Sequence, residues 1–428
     1  MAKAKKKETL SLEEKLEQAL IPVDEQPFNV PENWCWSRLK LLIDIKTGKK
    51  DANYGSEDGE YYFFTCATEP IRCQGYSFEG KAILLAGNGD IGNISMYDGK
   101  FEAYQRTYVL QKCRGVLEEY LYYYFKYRWV DYNKDKMFGT AIPYIRLGNL
   151  QEYEVPLPPL TEQQRIVEQI ESLFTKLDEA GDKVEAVRES YLARKSAILS
   201  QAFAGRITES WRAKNGICDT WKECKFSDVA EIKSNLVEPS EYPDYPHIAP
   251  DNIEKKTGVL LPYNTIAEDN VTSGKHKFYS GQILYSKIRP YLSKVVTVDF
   301  DGLCSADMYP IEAKENTRYL WYYMLSDEFL EQASSAGSRS VLPKINQKEL
   351  SKLVVKIPEI AEQEEIVQIL DKLLPLEQRV MEQTEVVLEQ ISLMKKSILA
   401  KAFCGELGTN NPDEESAIEL LKSILVTE

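Results

Sequence analysis

Between residues 162 and 205 the apolar positions advance by alternating fours and threes: Ile166, Ile170, Leu173, Leu177, Ala180, Val184, Val187, Tyr191 and then Ile198. The same register returns further along as Ile366, Leu370, Leu373, Val380, Val387, Ile391, Met394 and Ile398. A mean step of 3.5 residues is the seam of a left-handed coiled coil, so each stretch predicts one long helix facing the other along this stripe. Arg194, Glu377 and Thr384 interrupt the stripe. Pro375, inside the second helix, predicts a kink through its missing donor and ring clash. Gly205 and Gly405 stand where a left-handed C-cap would end each helix.

The two helices belong to a longer repeat. Residues 143–205 set against 343–405 without a gap share 19 identical positions of 63. A single duplication of this period means two copies of one unit and not a solenoid, and predicts an internal pseudo-two-fold. Between the helices, 37–155 and 221–355 are rich in Tyr, Phe, Val, Ile and Gly, with short apolar runs bounded by turn residues (YYFF at 61–64, KAILLA at 81–86, QILYS at 282–286). These predict strands in two mixed β-rich heads. Ile83 and Ile283 begin matching strands, and Trp36 and Trp221 mark the start of each head. From those tryptophans to the strands the second copy is about 15 residues longer, so the heads have diverged more than the helices.

The fold class is therefore α+β: two β-rich heads separated by two long antiparallel helices. The divisions are 1–36, an N-terminal helix and lead-in; 37–159, the first head; 160–205, the central helix; 206–359, the second head; 360–405, the C-terminal helix; and 406–428, an acidic tail.

Net charge is −14, which argues against a simple basic DNA-binding patch until its location is considered. The first head carries 16 basic and 16 acidic groups and the second 16 and 19, so most of the acid lies elsewhere and each head is free to present a basic face. No run of 18 apolar residues and no signal peptide is present, and eight cysteines without a CxxC pair fit a cytoplasmic, reducing setting. His247 and His276 are the two histidines, too few to build a zinc site. Gly87, Gly89 and Gly92 form a formal GxGxxG, but a dinucleotide site needs a helix to open there, and the following NISMYDGKFEAY reads as a strand. A glycine-rich hairpin is the reading. With no P-loop, no GxSxG and no Asn/Asp-Pro-Pro-aromatic tetrad of amino-methyltransferases, the chain is expected not to be an enzyme by itself.

Several blocks make the sequence recognisable: VPENWCWSRL at 30–39, GTAIPYIRLGNLQEYEVPLPPLTEQQRIVEQIESLF at 139–174, KSAILSQAFAGRIT at 195–208, and in the second copy VLPKINQKEL, KIPEIAEQEEIV and KKSILAKAFCGEL. The chain resembles the DNA-specificity subunits of type I restriction-modification systems over nearly its whole length. That resemblance implies two target-recognition domains, each reading half of a split site in double-stranded DNA, with the helices as ruler. It further implies two modification subunits that bind S-adenosylmethionine and methylate adenine. Two motor-nuclease subunits would use ATP and Mg, and no cofactor or metal would sit in this chain.

Base edges in the major groove carry sequence information, whereas phosphates position the protein. Polar and basic residues in turn-rich stretches are the candidates for both. In the first head they are Lys49, Lys50, Asn53, Tyr54, Asn88, Arg106 and Arg146; in the second, Lys275, Lys277, Lys287, Arg289, Arg339 and Lys344. Most of each set is expected on one face of its head. A coiled-coil scaffold whose heads bind proteins without reading DNA is the alternative that the residues leave open.

Overall fold

A computed structural model describes residues 11–139, 141–218, 220–336 and 343–427. The chain divides into two units, residues 1–183 with 387–428, and residues 184–386. Each unit therefore contains one head, the start of one long helix and the end of the other.

In the first unit, β1 (Cys35–Arg38) pairs antiparallel with β8 (Glu154–Leu157). Between them lie β2 (Asp44–Thr47), β3 (Tyr61–Phe64), β4 (Ile71–Cys73), β5 (Phe78–Ala86), β6 (Ile94–Ala103) and β7 (Thr107–Gln111), forming one sheet of order β2-β7-β5-β6-β3-β4. The chain leaving β2 crosses to the turn between β6 and β7, and β7 reaches the end of β3. Gln105 N donates to the Lys50 carbonyl at 2.9 Å and Thr107 Oγ1 to the Phe64 carbonyl at 3.2 Å. Gly48 is required at this crossing, because a Cβ there would lie 1.9 Å from the Ala103 carbonyl oxygen.

The second unit has β9 (Lys222–Lys225) paired with β18 (Val354–Ile357), as β1 is with β8. One sheet has the order β10-β17-β14-β15, from Ala230–Ile232, Met308–Ala313, Ile283–Ser286 and Val295–Thr297. This repeats the antiparallel order β2-β7-β5-β6 of the first unit. The second unit also has a separate sheet, β11-β13-β16-β12 (Leu236–Val237, Lys275–Phe278, Gly302–Cys304, His247–Ile248). In the first unit the corresponding stretch extends the main sheet as β3 and β4.

Each recurring motif performs the same task in both units. The Pro-x-x-x-Glu-Gln segment fixes a helix start to its head. Gln163 Nε2 donates to the Pro158 carbonyl at 3.0 Å and Gln363 Nε2 to the Pro358 carbonyl at 2.9 Å. The fully buried Glu162 accepts from Trp34 Nε1 at 2.9 Å, and Glu362 from Trp221 Nε1 at 3.2 Å. Trp34, not Trp36, is thus the counterpart of Trp221; Trp36 lies within β1 and packs edge-on against Phe28. The Ala-Phe-x-Gly helix end docks through its ring. Phe403 packs against Tyr120 and Tyr124, and Phe203 against Tyr319 and Tyr323, with centroids 5.0–5.5 Å apart. Those tyrosines donate to carbonyls of β8 and β18. Gly205 and Gly405, at φ 69° and 75°, close the helices as C-caps.

The helices pack antiparallel within each unit. In the first, Asp178 meets Lys395 and Gly181 lies by Ile391; in the second, Tyr191 bonds Gln378 and Arg194 bonds Glu377. The 3.5-residue stripe is not one continuous seam. Ile166, Ile170, Tyr191, Ile366 and Leu370 are buried, and Leu173, Leu177, Val184, Ile198, Ile391 and Ile398 are half-buried. Val187, Leu373, Val380, Val387 and Met394 are exposed, contrary to expectation. An α-helix repeats every 3.6 residues, so a fixed face drifts off a strict 3.5 pattern by about 20° per heptad. Near its ends the stripe also serves the head cores, where Leu374 packs and Leu373 does not.

The C-terminal helix runs from Ile360 to Phe403 with Pro375 inside it. The central helix is interrupted at Ser190, between Leu160–Glu189 and Tyr191–Phe203. There Ser190 Oγ donates to the Val187 carbonyl at 3.0 Å. Residues 406–427 are no free tail. Ala417–Thr427 is a helix that buries Ala417, Leu421, Ile424 and Leu425 in the core of the first unit, and Glu414 is held by Arg165 at 2.8 Å.

Candidate nucleic-acid interface

The GxGxxG stretch is the hairpin between antiparallel β5 and β6, with no helix behind it. Its tip is pinned by three backbone bonds: Gly87 N to the Arg106 carbonyl at 2.8 Å, Gly89 N to the Pro143 carbonyl at 2.9 Å, and Ile145 N to the Gly87 carbonyl at 2.9 Å. All three recur in the second unit. Lys287 N donates to the Asp307 carbonyl at 3.0 Å, Arg289 N to the Pro343 carbonyl at 2.8 Å, and Ile345 N to the Lys287 carbonyl at 2.9 Å. One backbone frame therefore exists twice, formed by a hairpin tip, the residue before a strand, and the segment leading to β8 or β18.

The side chains on the frame differ. In the first unit it presents Asn88, Arg106, Tyr144 and Arg146. A cleft of about 320 Å³ is lined by Gly87, Gln105, Arg106, Tyr144 and Arg146 among others. The Arg146 guanidinium lies 3.9 Å from the Phe138 ring centroid, and Arg106 is exposed 5.9 Å from that of Tyr144. The TGKKDANY loop joins this surface through Gln105, whose Nε2 reaches Asp51 Oδ1 at 2.8 Å. Within the loop, the Lys50 ammonium sits 4.3 Å over Tyr54, which itself packs edge-on against Phe63. Asn53 is exposed, and Lys49 lines an adjoining cleft that shares Leu147 with the first. Arg106 and Arg146 thus share one cleft, Lys49 lines the cleft beside it, and Lys50 and Tyr54 belong to the loop that Gln105 ties to them.

In the second unit the frame brings together Lys287, Arg289 and Lys344. Asp307 stands where the first unit has Arg106; its carboxylate lies 3.2 Å from Lys344 Nζ and 3.9 Å from Lys287 Nζ. Lys275 and Lys277 belong to β13 in the other sheet. Lys275 is buried and does not serve as an exposed reader: its ammonium is satisfied by the Ser273 carbonyl at 2.9 Å and hydroxyl at 2.7 Å, and burial holds its pKa below the usual lysine range. In the alternating strand KHKF, sequence does not disclose which face is turned inward. The Lys277 ammonium lies among Tyr242, Tyr245 and Tyr279, at 4.7–5.6 Å from their centroids. Arg339 lies outside the described residues.

Gln105, Tyr144 and Asp307 belong to this surface but were not among the candidates. Tyr144 had a signal, since it aligns at the 200-residue offset with Lys344. Asp307 had none, because the two strands that follow these turns start one residue out of that register.

Comparison with known proteins decides the family. A model of the type I restriction modification DNA specificity domain matches residues 31–185 and again 218–390. The chain belongs to the type I restriction-modification DNA specificity family. Consistent with this, it is 40% identical over 425 residues to the EcoDI specificity subunit of Escherichia coli, covering 92% of this chain and 95% of the relative. Among solved structures, a chain from a study of complex assembly and conformational transition of the type I R-M system aligns at TM-score 0.67 and 17% identity. It covers 89% of this chain and all of that one. The HsdS subunit of Thermoanaerobacter tengcongensis aligns at 0.57 and 18%, over 90% of this chain and all of that one. At these identities the likeness is one of fold, and it spans both specificity domains and both helices.

Proposed function

We propose that this specificity subunit reads a split site in double-stranded DNA, one half through each head, and carries no reaction of its own. The observation behind this reading is the duplicated backbone frame bearing different side chains. A fixed scaffold with exchanged hydrogen-bonding groups is what two unlike half-sites require of one architecture. Cationic and aromatic groups converge on that frame in the first head, and cationic groups in the second, although each head is nearly neutral in sum. Apolar residues left exposed along the helices, including Leu376 and Val380 in one unit and Leu393 and Met394 in the other, are suitable for docking two modification subunits. S-adenosylmethionine would bind those partners, and ATP with Mg the two motor-nuclease subunits.

Base-resolution mapping of methyladenine in cells with and without this chain tests the reading. The expected result is loss of one two-part motif when the chain is removed. An unchanged methylation pattern, together with no retention of duplex DNA by the assembled complex, would contradict it.

A further inference from the structure

Arg289 is the residue at which the two copies of the frame differ most in backbone chemistry. Its equivalent, Gly89, has φ 70°, a left-handed conformation that glycine adopts freely. Arg289 is held in the same region at φ 47° and ψ 62°. It also precedes Pro290, whose ring further crowds the residue before it. Strain of this kind persists only where the surroundings over-determine it, and it gathers at functional sites.

The surroundings here are explicit. Arg289 N is fixed by the Pro343 carbonyl at 2.8 Å, and its own carbonyl accepts from Leu292 N at 2.9 Å across the Pro290–Leu292 turn. That turn is held from behind: Lys256 N donates to the Leu292 carbonyl at 3.1 Å, and Lys195 of the central helix donates to the Lys256 and Thr257 carbonyls at 3.1 and 2.6 Å. Lys287 and Lys344 are both engaged, by the Ala306 carbonyl and by Asp307. The Arg289 side chain is exposed and has no hydrogen bond or ion pair among the described residues.

We propose that Arg289 is a specificity-determining residue that reads a guanine of the second half-site, its guanidinium spanning O6 and N7 in the major groove. This rests on the DNA-reading function proposed above and assigns one base contact within it. A planar fork on a pinned backbone suits a bidentate acceptor pair, and the loss of such a contact relaxes one base position without disturbing the rest.

The test uses the full chain with its modification subunits, comparing wild type, Arg289→Gly and Arg289→Lys by methylome mapping and by methylation rate on duplexes varied at each position. Arg289→Gly reproduces the residue of the first unit, so the chain should fold at least as stably as wild type. Its motif should become degenerate at a single G·C pair in one half. The preference for guanine there should fall roughly tenfold to a hundredfold, while the other half stays unchanged. Arg289→Lys should keep part of the affinity and lose most of the preference. An unchanged motif, or a uniform weakening on every sequence with a smaller salt dependence, would overturn the assignment, the latter marking a phosphate contact. A wild-type complex that methylates no two-part motif would overturn the functional reading itself, and the assignment with it.

Discussion

Arg194 Nε and Glu377 Oε2 lie 2.7 Å apart, so two of the three polar interruptions of the apolar stripes pair with each other. Neither is a packing fault. Arg194 Nε donates to Glu377 where helices of opposite direction cross while its Nη1 donates to the Val187 carbonyl at 2.9 Å, and Tyr191 to Gln378 at 2.8 Å adds a second polar link. The pair favours one register, because sliding either helix by one turn would separate the two charges.

Single changes at this pair should therefore be non-additive. Arg194→Glu or Glu377→Arg alone should cost about 1 kcal/mol each, the scale of a half-exposed ion pair, and the double exchange should recover most of it. Urea unfolding of the four chains checks this. Additive losses would mean that the two residues act separately.

Glu162 and Glu362 occupy equivalent buried positions but with different neighbours. Glu362 accepts from Thr208 at 2.6 Å and pairs with Arg212, whereas Glu162 accepts from Trp34 and from Asn410, both at 2.9 Å. Burial raises the Glu162 pKa above the usual carboxylate range, with the bonds from Trp34 and Asn410 opposing it. A raised folded-state pKa means that this group's contribution to stability is greatest below its unfolded value and is lost as pH rises through the folded one. Glu162→Gln should thus be nearly neutral or stabilising at pH 8 and should remove that part of the pH dependence. Glu362→Gln leaves Arg212 without a counter-charge and should cost about 3 kcal/mol. Denaturation of both variants at pH 5 and pH 8 checks the contrast; equal effects would contradict it.

Lys195 differs from its repeat partner in the same way. Lys395 pairs with Asp178 on the neighbouring helix, while Lys195 is buried against two carbonyls of the head. Burial pushes the Lys195 pKa down to about 8. For a depressed pKa the stability contribution is full above the unfolded value and is lost as pH falls through the folded one, so between about pH 8 and 10.5 the wild type should gain stability. Relative to Lys195→Met, that gain should approach roughly 3 kcal/mol, since one pKa unit corresponds to about 1.4 kcal/mol. Parallel pH dependences of the two chains would show that the amine stays charged in its pocket.

Much of this was legible because duplication supplied an internal comparison. The repeat located both helices, both heads and the strands at Ile83 and Ile283, and the strand after the glycines excluded a dinucleotide fold. Burial of individual stripe positions was not legible. Leu373 and Leu374 are adjacent and alike, and which one is buried depends on helix drift and on the head core. Charge misled at the C-terminus, where acidic residues precede Ala417, Leu421, Ile424 and Leu425, a helical spacing with a buried face of its own. The frame itself was half visible: Pro143 and Pro343 recur, but the carbonyl bonds that make them equivalent are long-range backbone contacts with no side-chain signature.

The most direct test of the account exchanges one head. Residues 221–355 are replaced by the corresponding head of a related specificity subunit with a different target, and the methylated motif of the assembled complex is mapped. Each frame is built from its own hairpin, strand start and lead-in segment, and the Glu-Gln and Phe anchors of both helices lie outside the exchanged segment. The exchange should therefore change every specified base of one half-site and none of the other. Altered bases in the untouched half would mean that both heads contribute to a single reading surface, and would contradict the account.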